Sequence, residues 1–228
     1  SLNTYKNNTA ECYFELGNKV NNQKKYAEAK EYYSKAYQKC TGGYKNEAKF
    51  KENLEKASKD IKNAEASEIN RSGLTAWKES NYELAKTKFT EALNHSTPDH
   101  ADKKLFEGNI EHAEAAIYNR EADQLFKQNN FEAAVAKYQQ AIETCPKDRT
   151  DSLNTYKNNL ASTFNQMGMD HLTKEKFAEA KKLFDLAING STKNNEKLNS
   201  FTENLRKASD GINNNNAEIF YNEGKIVW

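Results

Sequence analysis

Four histidines, three cysteines and a large stock of carboxylates are the residues of this 228-residue chain that could carry catalysis or hold a metal. Zinc chelation from one helix needs two imidazoles about a turn apart, and His95, His100, His112 and His171 include no such pair, so they read as surface residues. Cys12, Cys40 and Cys145 are odd in number, widely spaced and without a Cys-x-x-Cys, which indicates neither a disulfide framework nor a zinc site. They read as small packing residues. The sequence has no glycine-rich phosphate loop, no Gly-x-Ser-x-Gly elbow and no recognisable Cys and His signature. Its carboxylates are spread along polar stretches, where neighbours such as Glu52 and Lys56 stand four apart and make weak helix-surface pairs. The expectation is a protein that is not an enzyme and that holds no cofactor and no metal.

Charge and composition narrow the remaining classes. A net charge of +1 gives no field that would gather nucleic acid or an anionic membrane, both of which need clustered Lys and Arg. No stretch approaches the roughly 18 apolar residues of a membrane-spanning helix, and the polar start at Ser1 is not a signal peptide, so the default setting is cytoplasmic. Hydrophobic residues make up 36% and the mean hydropathy is -1.04, low for one central core and closer to thin, two-layer helical arrays. Disorder is the rival reading, and 12 Tyr and 11 Phe at fixed spacings argue against it. The Asn-x-Ser/Thr sites at Asn7, Asn70, Asn94 and Asn189 are what chance gives in so Asn-rich a chain.

The spacings reveal repeats. The octapeptide Ser-Leu-Asn-Thr-Tyr-Lys-Asn-Asn opens the chain at Ser1 and returns unchanged at Ser152, an offset of 151 residues. Within that offset, Tyr26, Ala29, Tyr33 and Ala36 are matched by Tyr82, Ala85, Phe89 and Ala92. Phe131, Ala134, Tyr138 and Ala141 form a third set, and Phe177, Ala180, Phe184 and Ala187 a fourth. Spacings of three, four and three put each set on one helical face, with rings as knobs and alanines admitting close neighbours. Nine residues ahead of each set stand Gly17, Gly73, Ala122 and Gly168, small residues where a preceding helix must come close. Further upstream, an aromatic-x-x-Asn motif pairs Tyr5 with Asn8, Phe50 with Asn53, Phe106 with Asn109, Tyr156 with Asn159 and Phe201 with Asn204.

From that Asn to the small residue the separation is nine in the first and fourth units, twenty in the second and fifth, and thirteen in the third. The extra eleven and four residues are close to three turns and one turn of α-helix, so the apolar face keeps its phase and the insertion lengthens one continuous helix. The first helix of unit two then runs from about Tyr44 to about Ser80, on the order of 50 Å. Pro98, Pro146, Thr41-Gly42-Gly43 and Asn189-Gly190-Ser191 break the chain after the second helices. The units are repeat 1 at about 3-42, repeat 2 at about 44-98, repeat 3 at about 100-147 and repeat 4 at about 151-192. A long first helix of a fifth repeat, or a cap, covers about 196-228. Gly224 and Trp228 repeat Gly73 and Trp77 at the 151-residue offset, so the chain stops inside a helix, as a fragment of a longer array or a capping helix would.

A small residue followed by aromatic, Ala, aromatic and Ala at these offsets resembles the tetratricopeptide repeat family across all four full units. The match is fullest at Ala122, Phe131, Ala134, Tyr138, Ala141 and Pro146. The resemblance implies an all-α fold, a right-handed α-α superhelix or solenoid of stacked antiparallel helix pairs. Its first helices are lengthened here, because units recur at about 45 to 56 residues where the family standard is about 34. The resemblance also implies a protein-protein interaction scaffold that takes a peptide or partner helix on the concave face lined by the first helices. Carried onto this sequence, the groove-facing positions are Asn18, Asn21 and Asn22 in unit one, and Asn70, Arg71, Trp77 and Lys78 in unit two. Unit three supplies Asn119, Arg120, Phe126 and Lys127, and unit four Asn165 and Gln166.

An Asn side chain both donates and accepts, so a ladder of them could hold the backbone of an extended peptide. Arg71, Lys78, Arg120 and Lys127 would favour carboxylates, while Trp77 and Phe126 could receive an apolar side chain or else pack between helices. The expected partner is an acidic segment with an apolar anchor. The family's dicarboxylate clamp for chaperone C-terminal tails fits poorly. Asn18 and Arg120 match it, but Phe14, Arg71 and Ala116 stand where Lys, Asn and Lys are expected. The alternative from another class is a structural spacer or self-associating array without a peptide ligand.

Overall fold

The four aromatic-alanine sets each begin a helix of 14 residues: α2 (Tyr26–Lys39), α4 (Tyr82–His95), α6 (Phe131–Thr144) and α8 (Phe177–Gly190). The helices ahead of them vary in length: α1 (Leu2–Asn22), α3 (Glu47–Lys78), α5 (Lys103–Lys127), α7 (Thr150–Leu172) and α9 (Leu198–Ile226). The computed structural model describes residues 1–226, and all regular structure among them is helical. The chain divides into two compact units, Ser1–Glu107 and Gly108–Trp228. Each is built from stacked antiparallel helix pairs. Trp228 lies outside the described residues.

One turn geometry closes all four pairs. Lys24, Ser80, Asn129 and Glu175 adopt the left-handed conformation, with φ of 60°, 59°, 58° and 56°. The next amide then reaches back five residues, as Lys25 N does to Val20 O at 3.1 Å and Asn81 N to Ala76 O at 2.9 Å. The left-handed residue reaches back three, which completes the two-bond motif that satisfies the last carbonyls of a helix and reverses the chain. Opposite the turn, the small residues do what their size allows. A methyl placed on Gly17 would sit 2.6 Å from a ring carbon of Tyr33, on Gly73 2.6 Å from Phe89, and on Gly168 2.6 Å from Phe184. Tyr33, Phe89, Tyr138 and Phe184 are all buried beside the alanines of their own sets.

The lengthened first helices carry two apolar faces on opposite sides. In α3, Phe50 and Ala57 join the cluster of Ala10, Phe14, Tyr33 and Ala36 in the preceding pair, whereas Ala66 joins Ala92 and Phe106. Twenty residues at about 100° each separate Asn53 from Gly73 by roughly half a revolution, which is why one straight helix serves both neighbours. The same pattern recurs further on: Tyr156 of α7 buries against Ala115 and Ala141, and Phe201 of α9 against Ala161 and Ala187.

Three expectations need correction. Helix α3 starts at Glu47 and not near Tyr44, whose amide is held in a turn by Thr41 O at 3.0 Å and whose hydroxyl donates to Glu11 at 2.7 Å. It ends at Lys78 because Ser80 turns left-handed. Cys145 is buried in the α6–α7 packing and Cys40 is half-buried, but Cys12 is exposed, since it lies on the side of α1 opposite Ala10, Phe14 and Gly17.

Candidate functional site

The candidate site is the set of first-helix positions flanking each small residue, and several of the side chains there are engaged within the fold. In Ser1–Glu107, Asn18 accepts a hydrogen bond from the Tyr33 hydroxyl at 3.0 Å. The same position in the third pair is Asp123, which accepts from the Tyr138 hydroxyl. Burial and then that carboxylate hold the Tyr138 phenol far above its usual pKa. Where the ring is Phe89 or Phe184, and has no hydroxyl to satisfy, the matching residue is Leu74 or Met169. The pairing of Tyr with Asn or Asp, and of Phe with an apolar residue, is visible in the sequence and identifies Asn18 as the partner of a buried hydroxyl.

The asparagine ladder is engaged between successive first helices. Asn159 of α7 donates to Asn119 Oδ1 of α5 at 3.0 Å, and Asn204 of α9 donates to Asn165 Oδ1 of α7 at 3.0 Å. Asn119 also donates to Asp123 at 3.3 Å. The donors are the asparagines of the aromatic-x-x-Asn motif, so that motif and the groove positions are two halves of one contact. Asn53, whose counterpart on α1 is Phe14, turns to its own backbone at Lys49 O, 2.9 Å away. Asn70 is buried, 7% exposed.

The charged and aromatic positions are more open. Arg71 is exposed and paired with Glu68 at 2.7 Å; Lys78 and Lys127 are exposed at the last residues of α3 and α5. Arg120 is half-buried. Trp77 lies 4.9 Å from Tyr82 and Phe126 5.5 Å from Phe131, each half-buried at the corner of its own helix pair. Of the clamp positions, Phe14 and Ala116 are buried and have no surface to offer a ligand.

Two further features tie the helix pairs together. Asn7 Oδ1 accepts from both the backbone N–H and the hydroxyl of Thr41, at 2.9 and 3.0 Å, tying the end of α2 to the start of α1. Asn63 does the same to Thr97 and Asn158 to Thr192. The signal was an Asn and a Thr 34 residues apart, three times. In the third pair the equivalents are His112 and Pro146. Proline has no N–H to give, and His112 instead contacts Ser152 Oγ of α7 at 2.8 Å. His112 is thus no surface residue: burial, and then the charge of Arg149, lower its pKa to about 4.

The family model for the tetratricopeptide repeat matches residues 115–148, which comprise the end of α5, the turn, α6 and the start of the following loop. Residues 115–148 thus carry a tetratricopeptide repeat. The match begins at Ala115 and leaves out residues 103–114 of α5, so the extension carrying Phe106 and Asn109 is an addition to the tetratricopeptide hairpin. No curated protein matches the chain. The TPR2AB domain of yeast Sti1, solved as a pHSP90 complex, is similar at 18% identity over 90% of this chain and 71% of that chain, with a TM-score of 0.28. Among the described residues, no helix is long and apolar enough to cross a membrane.

Proposed function

We propose that this chain is a protein-interaction scaffold whose first-helix faces hold an acidic segment with an apolar anchor. One observation carries the reading. At the C-terminal ends of α3 and α5 the same set recurs at the same helical positions, with an arginine, then six residues on an aromatic ring, then an exposed lysine: Arg71, Trp77 and Lys78, and Arg120, Phe126 and Lys127. Each set places a half-buried ring near an arginine and an exposed lysine, which suits an apolar side chain flanked by carboxylates. Within each unit, Asn18 and Asn70, and Asn119 and Asn165, are our candidates for hydrogen-bonding the ligand's backbone. Fluorescence anisotropy with a labelled twelve-residue peptide of Asp and Glu around one Leu-Phe pair tests this. Binding should weaken about tenfold in Lys78→Gln with Lys127→Gln, roughly 1.4 kcal/mol, and should fall with salt. Equal binding of a lysine-based peptide with the same Leu-Phe pair would end the proposal.

A second reading, a spacer without a ligand, draws on the asparagine side-chain hydrogen bonds that tie α5 to α7 and α7 to α9. Light scattering separates the two, since a spacer that works by self-association forms larger species as its concentration rises.

A further inference from the structure

The octapeptide at residues 1–8 is identical to that at residues 152–159, yet the two copies have different surroundings. The second copy is inside an interface. Tyr156 is 5% exposed and, with Leu153, packs on the hairpin of α5 and α6, into a socket of small side chains made by Ala115, Ala141 and Cys145. Ser152 Oγ meets His112 at 2.8 Å, and Asn159 donates to Asn119 at 3.0 Å. In the first copy, Leu2 is 69% and Tyr5 71% exposed. They border an open concavity of about 770 Å³ that also takes in Tyr13, Gln38 and Cys40. Two large apolar side chains side by side in water on a helix face are the kind of patch that marks an interaction site.

We propose that this face of α1 is a docking surface for a helical hairpin with the chemistry of α5 and α6: an uncovered socket of small residues to seat Tyr5 and Leu2, with side chains able to hydrogen-bond Ser1 and Asn8. The complementary surface is already built once in this chain, against the same eight residues, which fixes the class of partner. A second folded copy does not supply it, because there the socket is filled by that copy's own Tyr156. The surface is separate from the cation-aromatic faces of α3 and α5, and its success or failure leaves the peptide-binding proposal untouched.

The repeat itself provides the probe. Residues 101–151 fused directly ahead of Ser1 recreate the Asp151-to-Ser152 junction and present the hairpin to α1 at high effective concentration. Circular dichroism of the fused chain verifies that the added hairpin is helical. Amide hydrogen exchange over residues 2–9 should slow at least tenfold relative to the parent chain. Tyr5→Ala should leave the parent's melting temperature unchanged, and in the fused chain should lower it as much as Tyr156→Ala does. The same fusion with Ala141→Lys in its added copy should lose the protection. Unchanged exchange in a fused chain whose added hairpin is helical, or a silent Tyr5→Ala there, overturns the proposal. So does concentration-dependent protection of residues 2–9 in the parent alone, which would assign the face to a second copy.

Discussion

At the scale of single residues, the informative position is the one where a repeated rule is broken. The first, second and fourth hairpins close on an asparagine carbonyl that accepts two hydrogen bonds from a threonine; in the third, Pro146 removes the amide donor and His112 takes the asparagine's place. The cost is a pH dependence. Folding keeps His112 neutral down to about pH 4, whereas the unfolded imidazole protonates near 6.5, so between these values the unfolded chain binds the extra proton. Stability must therefore fall as pH drops through that window, by on the order of 1–2 kcal/mol once partial solvent screening is allowed for. Replacing His112→Asn alone leaves a carbonyl facing a proline and should cost about 1–3 kcal/mol at pH 7. Adding Pro146→Thr restores both donors, and the double variant should recover stability and lose the histidine's share of the pH slope. Urea unfolding at pH 7 and pH 4.5 on the parent and the two variants decides it; a double variant as acid-sensitive as the parent refutes the argument.

At the scale of elements, the hairpins were legible because their code is steric. A 3-4-3 spacing of rings and alanines has one helical solution, and a glycine nine residues upstream has one use when an aromatic must lie against the backbone, as Phe89 does on Gly73. Lengthening by eleven or four residues was legible as whole turns for the same reason. The amide contacts between first helices were not, because an asparagine on a polar face looks the same whether it faces water, a ligand or another asparagine some 40 residues away. The Tyr33–Asn18 and Tyr138–Asp123 pairs could have been found, since only comparison of units within the chain exposes them. The turns carry a cost the sequence does not announce. Lys24, Ser80 and Glu175 hold left-handed backbone with side chains that disfavour it, while Asn129 tolerates it better. Replacing Glu175→Gly should stabilise the chain by up to about 1 kcal/mol, and Asn129→Gly by less, in thermal melts. A destabilised Glu175→Gly would show that its side chain, not its backbone, holds the turn.

At the scale of the whole chain, stability is a sum of neighbour contacts. Within each unit, the buried clusters among the described residues that hold Phe50, Phe201 and Phe184 join helices adjacent or nearly adjacent in sequence, so losing an element should cost only what it covers. Helix α9 separates covered from uncovered length within one element. Its first half buries Phe201, Asn204 and Ala208 against α7 and α8, and Gly211 abuts Phe177. From Asn213 to Glu223 every residue is exposed, with Ile219 at 53% and Phe220 at 72%. Ending the chain after Ile212 should therefore change the free energy of unfolding by less than about 1 kcal/mol, while lowering the helical signal in proportion to the residues removed. Ending it after Lys197 strips the cover from Ala161, Ala187 and Phe184 and gives up the burial of Phe201, itself worth about 1.5–3 kcal/mol, so several kcal/mol should be lost. Guanidinium unfolding of the two truncations measures the difference. Equal losses would mean that residues 213–223 contribute to the fold in spite of their exposure, and that cover by the next first helix is not what sets the stability of a hairpin.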